Sequence, residues 1–179
     1  MKFKCEKGSK DYYNEFMFVT TNYKKILNSP KMKVKNLINQ YILVLVLSLL
    51  LVAFITYNII IDNYSYVDVA ILSIFSFIIF LYGIMVLRLK NNIKLYLNSG
   101  STNIVIDELG VKKSSDRDDI LLKWDNITYV IINKNSICFI PKKLPSFMLG
   151  IPIEYKDKII KGLEKYDKMS ILIDNSGMY

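Results

Sequence analysis

The sequence predicts an α+β membrane protein, in which a two-helix transmembrane hairpin carries a small antiparallel β-sheet domain capped by a C-terminal helix. Residues 36–61 and 69–87 contain no charged side chain. Each run is long enough to cross a hydrocarbon core, which takes roughly 20 helical residues. Residues 102–140 instead alternate short apolar stretches with turn residues, a pattern typical of successive strands.

The first 36 residues are predicted to be an N-terminal cytoplasmic segment. Residues 2–7 are suited to a short strand, and Ser9 is suited to cap a helix that ends before Ser29-Pro30. Apolar residues recur between these points at helical spacing, and they are Tyr12, Phe16, Val19, Tyr23 and Ile26. The pattern predicts one amphipathic helix, which packs on the sheet or lies among lipid headgroups.

Charge around the apolar runs predicts their orientation. Transmembrane helices are expected at 37–61 and 69–88, with an external turn at 62–68 that holds two acids and no basic residue. Residues 1–36 hold nine lysines against three acids, and residues 88–98 hold three basic residues and no acid. By the positive-inside rule both termini face the cytoplasm. The Lys-, Asn- and Ile-rich composition without histidine is typical of AT-rich bacteria, so the predicted location is the bacterial cytoplasmic (inner) membrane.

A cytoplasmic domain is predicted to follow the hairpin. A basic connector at 89–98, expected to be helical, ends at the turn-forming Asn98-Ser99-Gly100-Ser101. The domain itself spans 99–166. Its strands are expected at 102–107, 111–114, 120–124, 127–132 and 137–140. Strands in succession before one helix describe a small sheet that the helix caps.

The end of the domain is predicted as a loop, a helix and a tail. The loop covers 142–150, and Pro152 opens the helix. Its apolar face consists of Ile153, Ile159, Ile160, Leu163 and Tyr166. The tail at 167–179 contains a short apolar run at 171–173 whose structure the pattern does not determine.

Three short motifs carry a resemblance to a known family. They are Ile106-Asp107-Glu108-Leu109-Gly110-Val111, Leu122-Lys123-Trp124-Asp125-Asn126-Ile127 and Phe139-Ile140-Pro141-Lys142-Lys143. Together with the order of an amphipathic segment, two spans and this domain, they resemble the YcxB-like family of bacterial membrane proteins. The resemblance implies a pleckstrin-homology-like (PH-like) fold for the cytoplasmic domain, and it implies no catalytic residues.

The residues themselves explain these motifs as determinants of the fold. Gly110 permits the positive φ of a tight turn. Trp124 is a large core anchor at the end of a strand. Cys138, between Ile137 and Phe139, is expected to fill the core, and Cys5 lies on the same cytoplasmic side, where a disulfide is not expected.

Nine residues are candidates for contact with the membrane or with a partner. They are Lys31, Lys33, Lys35, Arg88, Lys90, Lys142, Lys143, Phe147 and Met148. The basic residues beside the spans attract anionic headgroups, although they also suffice as topology determinants. The apolar loop after Lys143 either meets the bilayer or a partner, or folds back over the open end of the sheet.

No catalytic, cofactor-binding or metal-binding residues are predicted. Without histidine the cysteines lack the usual catalytic base, and the acidic cluster of Asp116, Asp118 and Asp119 is interpreted as a solvated hairpin tip. Residues 99–179 hold twelve basic and eleven acidic side chains, which argues against nucleic acid as a partner.

The predicted function is a non-enzymatic one, the tethering of a PH-like protein- or lipid-interaction module to the inner membrane. The expected partners are membrane lipids and an unidentified protein, and the oligomeric state is open. The alternative is an immunity or self-protection protein against a membrane-active toxin or bacteriocin. An enzyme acting on lipid substrates is a third reading, which the absence of histidine and of paired carboxylates in or near the spans disfavours.

Overall fold

The computed structural model of the protein describes most of the chain. The described residues are 1–61, 66–97, 100–115, 119–143 and 147–178. They divide into two compact units. The smaller unit comprises residues 36–92, and the larger unit combines residues 1–35 with the chain from residue 93 onward.

Two long apolar helices dominate the smaller unit. Helix α3 (Leu37–Ile61) has 25 residues and helix α4 (Tyr66–Leu97) has 32, of which the last five belong to the larger unit. Among the described residues, these two helices are long and apolar enough to cross a membrane, and little of either apolar window is buried. The side chain of Asn36 caps α3, because its Oδ1 accepts hydrogen bonds from the amides of Ile38 and Asn39 at 3.0 and 3.3 Å.

The predicted first span has the same bounds as α3. The second differs, because α4 begins at Tyr66 and continues to Leu97, within the predicted connector. No glycine or proline interrupts the chain between residues 88 and 97, so nothing local ends the helix there. Of the predicted turn, residues 62–65 lie outside the described residues.

The strands of the larger unit form two sheets of four strands each among the described residues. The first sheet is antiparallel and follows chain order, with β1 (Lys2–Cys5), β2 (Thr102–Ile106), β3 (Gly110–Ser114) and β4 (Asp119–Lys123). The second sheet has the order β7-β6-β5-β8. Its strands are β5 (Ile127–Ile132), β6 (Ser136–Pro141), β7 (Leu149–Pro152) and β8 (Leu172–Asp174). Only the β5–β8 pair is parallel among the described strand pairs.

Each face of the second sheet meets a separate hydrophobic cluster. The first cluster joins both sheets to helix α5 (Lys156–Lys165), through residues such as Ile104, Phe139 and Ile159. The second cluster joins the opposite face to helices α1 (Lys10–Thr21) and α2 (Tyr23–Asn28). Its buried members are Val19, Tyr23, Ile26, Ile131, Cys138, Ile140 and Met148. Because side chains alternate along a strand, Val130 and Ile132 enter the first cluster and Ile131 the second.

Pairing and burial explain why the N-terminal segment belongs to the larger unit. Strand β1 pairs with β2, so the first residues of the chain complete the first sheet. Ser9 caps α1 as predicted, accepting from the amide of Tyr12 at 3.1 Å. The predicted single helix is divided into α1 and α2 at Asn22, whose Nδ2 donates to the carbonyl of Phe18 at 2.9 Å. Polar side chains that bond nearby backbone in this way compete with helical continuation.

Two short strands were not predicted. The residues of β7 were assigned to a loop and to the start of a helix, but four residues are too few to show a period. Pro152 ends β7, where the lack of an amide hydrogen is tolerated because β7 is an edge strand. The helix α5 therefore begins later, at Lys156, after a 3₁₀ turn at Ile153–Tyr155. The apolar run in the tail forms β8.

Candidate functional site

The structure places the nine predicted contact residues in different environments. The lysines at 31, 33, 35, 142 and 143 are exposed in the larger unit, and Arg88 and Lys90 are exposed in the smaller unit. Phe147 is 46% exposed. Met148 is only 4% exposed and belongs to the second cluster, so its side chain does not form part of a contact surface. Residues 144–146 of the same predicted loop lie outside the described residues.

One hydrogen bond brings helix α2 next to the end of strand β6. The hydroxyl of Tyr23 donates to the carbonyl oxygen of Pro141 at 2.7 Å, and this contact is buried. Lys24 and Lys25 follow Tyr23 directly and are exposed, and Lys142 and Lys143 follow Pro141 directly and are exposed. Four lysines therefore flank a single buried contact.

The segment between Pro30 and Lys33 adds two more lysines beside the second cluster. Met32 packs against this cluster and is partly buried, while its neighbours Lys31 and Lys33 are exposed. The carbonyl of Pro30 accepts a hydrogen bond from Nδ2 of Asn175 at 2.8 Å, which fixes the path of the segment. We give the name basic face to the exposed lysines and the phenylalanine that lie within two positions, along the chain, of these buried or partly buried residues. Its members are Lys24, Lys25, Lys31, Lys33, Lys142, Lys143 and Phe147.

Phe147 precedes a buried residue of the same cluster. Met148 is anchored in the second cluster, where its sulfur lies 3.6 Å from the hydroxyl of Thr20. The ion pairs in which both partners are described residues are Lys112–Asp119 and Lys156–Asp174. Neither includes a lysine of the basic face, so no ion pair between described residues neutralises these lysines.

Sequence reasoning missed Lys24 and Lys25 as contact candidates, although it counted both as topology determinants. Their role in the basic face depends on the contact between Tyr23 and Pro141, residues 118 positions apart. The available signal was the sequence Tyr23-Lys24-Lys25, in which an apolar helix position is followed by two basic ones.

A buried carboxylate fastens α1 over the second sheet. Glu15 is 7% exposed. Its carboxylate accepts from the backbone amide of Asn135 at 2.9 Å, from Nδ2 of Asn135 at 2.8 Å and from the hydroxyl of Ser136 at 2.9 Å. With both oxygens engaged by the β5–β6 turn, Glu15 positions α1.

The two cysteines are buried free thiols. Burial raises the pKa of Cys5 to about 11, and the nearby Lys113 lowers it only in part. Burial likewise raises the pKa of Cys138 to about 12. Since the thiolate is the reactive form, neither thiol is poised as a nucleophile at neutral pH, and the core role predicted for Cys138 is confirmed.

The motif residue Trp124 lines an open cleft and also belongs to the core. Trp124 is 7% exposed in the first cluster, as predicted, and its Nε1 donates to the carbonyl of Asp107 at 2.9 Å. The cleft has a volume of about 460 Å³. Its lining residues are Glu108, Leu109, Lys123, Trp124, Asp125, Tyr166 and Lys168. Two acids and two lysines give it no preference of charge.

The predicted hairpin tip is described only in part. Asp116 and Asp118 lie outside the described residues, and Asp119 forms an exposed ion pair with Lys112 at 3.1 Å across the β3–β4 hairpin. Among the described residues, no group of three or more His, Cys, Asp or Glu side chains could hold a metal ion.

Comparisons with family models, with curated proteins and with solved structures returned no significant match. The YcxB-like resemblance therefore stays a prediction from the three motifs.

Proposed function

We propose that this protein is a non-enzymatic inner-membrane protein, and that its larger unit is a PH-like module whose basic face binds anionic lipid headgroups. The observation that carries the proposal is the basic face itself. Six exposed lysines and an exposed phenylalanine border one hydrophobic cluster, and the ion pairs of the described residues leave these lysines out.

Support for the membrane anchor comes from α3 and α4. Their length and hydropathy suit a hairpin across the bilayer, and their apolar side chains are largely exposed. Hydroxyl groups within them bond to their own helix, as Thr56 does to the carbonyl of Val52 at 2.8 Å. A bilayer favours this arrangement because it offers polar groups no water. The positive-inside rule then places both termini in the cytoplasm.

The PH-like part of the proposal draws support from the order of the elements. The strands β1 to β7 form two sheets, and α5 follows them and closes the first cluster. The hairpin is inserted between β1 and β2, so an anchor inside the domain ties the module to the bilayer at two points of the chain.

Electrostatics favours headgroups as the ligand of the basic face. A lysine near an anionic leaflet contributes about 1 kcal/mol, so several lysines acting together give binding of a few kcal/mol that salt weakens. Phe147 adds an apolar side chain of the kind that enters the interface between headgroups and acyl chains. Because the hairpin keeps the module beside the bilayer, even this modest affinity suffices for contact.

An environment-sensitive dye on Phe147→Cys tests the proposal in full-length protein reconstituted into nanodiscs. The native thiols are buried and should not be labelled. We expect a blue shift of the dye in phosphatidylglycerol-containing discs but not in pure phosphatidylcholine discs. Changing both Lys142 and Lys143 to Glu should abolish more than half of the shift.

A matched control separates the basic face from overall charge. Lys161→Glu combined with Lys165→Glu alters the net charge equally, on exposed positions of α5. This variant should keep the full shift. Equal dye shifts in the two lipids, or an equal loss of the shift in the two double variants, would contradict headgroup binding. Cross-linking would then test whether a protein binds the basic face instead.

Orientation is tested separately with an impermeant maleimide on intact cells. Ser65→Cys, which lies outside the described residues, should be labelled from outside. Glu164→Cys on α5 should be labelled only after lysis. The reverse pattern would contradict the proposed topology.

A further inference from the structure

The strand β8 is the least secured strand of the larger unit. It is three residues long and pairs in parallel with β5. Its register joins Val130 to Leu172, Ile131 to Ile173 and Ile132 to Asp174. A three-residue pairing supplies few backbone hydrogen bonds, and parallel pairings are slightly weaker than antiparallel ones.

The side chains of β8 are at most partly buried, so they stabilise the strand weakly. Leu172 packs against the first cluster and Ile173 against the second, and both are partly buried. Asp174 pairs with Lys156 at 3.0 Å, but the two side chains are 46% and 35% exposed to solvent, so the pair contributes little.

An orphaned polar group lies at the end of this strand. Asn175 is 2% exposed; its amide donates to the carbonyl of Ile132 at 2.8 Å and its Nδ2 donates to Pro30. Its Oδ1, however, has no partner in the described part of the chain, and neither does Oδ1 of the buried Asn133 at the end of β5. A buried acceptor without a donor weakens the segment that carries it.

The strand β5, with which β8 pairs, is well packed. Val130, Ile131 and Ile132 are at most 2% exposed, and β6 pairs with β5 along its other edge. Release of β8 would leave β5 with a free edge of backbone donors and acceptors between two apolar clusters. Such an edge is a template for an added strand, with backbone bonds giving affinity and alternate side chains giving specificity.

We propose that the β5 edge is a strand-accepting site for a protein segment, and that the chain's own β8 closes it until a partner displaces it. The fitting segment is extended and parallel to β5. It carries two aliphatic residues, one for each cluster, then an acidic residue for Lys156 and an amide-bearing residue. This is the chemistry of Leu172 to Asn175. The inference does not rest on lipid binding, although the hydrogen bond from Asn175 to Pro30 links the end of β8 to the segment that carries Lys31 and Lys33.

Peptide competition on the full-length protein in detergent micelles tests this site. The probe is a fluorescein-labelled peptide with the sequence of residues 168–178, followed by fluorescence anisotropy. In the chain, Ile173→Asp weakens the resident strand without altering β5. We expect the probe to bind this variant at least tenfold more tightly than it binds the wild type, because the resident strand no longer competes.

Two controls make the outcome decisive. Met178→Asp changes the tail beyond β8 and should bind the probe as weakly as the wild type. A peptide that itself carries Ile173→Asp should bind neither chain. Equal probe affinity for the wild type and the Ile173→Asp chain, or undiminished binding of the altered peptide, would overturn the proposal.

Hydrogen exchange of the unmodified protein provides a test that needs no variant, should Ile173→Asp fail to fold. The amide of Asn175, which bonds to Ile132, should exchange at least tenfold faster than the amides of β6. That result means that β8 opens while the rest of the sheet stays paired. Exchange of both at one common rate would mean that β8 opens only with the whole unit, and the site would not exist.

Discussion

The two sheets of the larger unit differ in how they are covered. The first sheet is only partly buried: β1 alternates buried Phe3 and Cys5 with exposed lysines, and β2, β3 and β4 also keep exposed or partly buried positions. The second sheet is buried on both faces, and every residue of β6 and β7 is buried. Helices α1 and α2 make the difference, because they cover the face of the second sheet that lies opposite the first cluster. Strands of a sheet that is covered on both faces have nearly continuous apolar sequences, whereas strands with one solvent-exposed face alternate apolar and polar residues.

This difference assigns a structural role to the first 35 residues. They contribute β1 to one sheet and the cover of the other, although α3 and α4 separate them in sequence from the remaining strands. The same cover carries Lys24 and Lys25, so the proposed lipid contact depends on it.

The largest expected effect contrasts a buried side chain with an exposed one. Phe139→Ala on β6 removes a fully buried ring and should lower the free energy of unfolding by about 3–5 kcal/mol. Leu121→Ala on β4 removes a side chain that is 45% exposed and should cost less than about 1 kcal/mol. Urea unfolding in micelles, followed through the single tryptophan, Trp124, measures both. Similar costs would mean that the two sheets are covered alike.

The packing of α1 on the second sheet is tested by changing Glu15, whose hydrogen bonds attach this helix to the β5–β6 turn. Glu15→Ala leaves the donors of Asn135 and Ser136 without their acceptor and should cost roughly 2 kcal/mol. Glu15→Gln should cost less, because the amide oxygen still accepts. Glu164→Ala on the exposed side of α5 is the control and should change stability by less than about 0.5 kcal/mol. If Glu15→Ala behaves like Glu164→Ala, α1 is not fastened in this way.

A smaller effect concerns the pH dependence of stability. The pKa of the Cys138 thiol is about 12 in the folded protein, against an ordinary value of 9.0, so the folded state holds its proton more firmly. This contribution is fully present below pH 9 and is lost as pH rises from about 9 toward 12. At pH 10 the loss should be roughly 1 kcal/mol.

The loss at high pH is isolated by comparing the wild type with Cys138→Ala. Urea unfolding at pH 8 and pH 10 gives the change in stability for each chain, and the variant should lose less because it lacks the thiol. Identical changes in the two chains would show that the thiol is not protected from ionisation in the folded protein.

The sequence predicted the elements whose signal is local. The bounds of α3 match the predicted first span, and β5 has the predicted residues, because long apolar runs and flanking turn residues suffice to define them. Trp124 and Cys138 were correctly placed in the core for the same reason. Predictions were weaker for β7 and β8, since three or four residues carry no measurable period.

The candidate site was predictable only in part, because contacts between distant residues create it. Lys142 and Lys143 were identified from their place beside an apolar loop. Met148 was assigned to the same contact, yet it packs into a cluster that α1 and α2 complete. Only the fold brings Tyr23 to Pro141, and nothing in the local sequence near either residue indicates that pairing.

Hydrogen exchange of the full-length protein in nanodiscs tests most directly the central claim, that the basic face binds anionic lipid. It monitors the two sheets in one experiment. Replacing phosphatidylcholine with phosphatidylglycerol should slow exchange in α2, in residues 31–33 and at Lys142 and Lys143. Exchange in β2, β3 and β4 should stay unchanged. Equal exchange in the two lipids, or slowing confined to the first sheet, would contradict the assignment of lipid binding to the basic face.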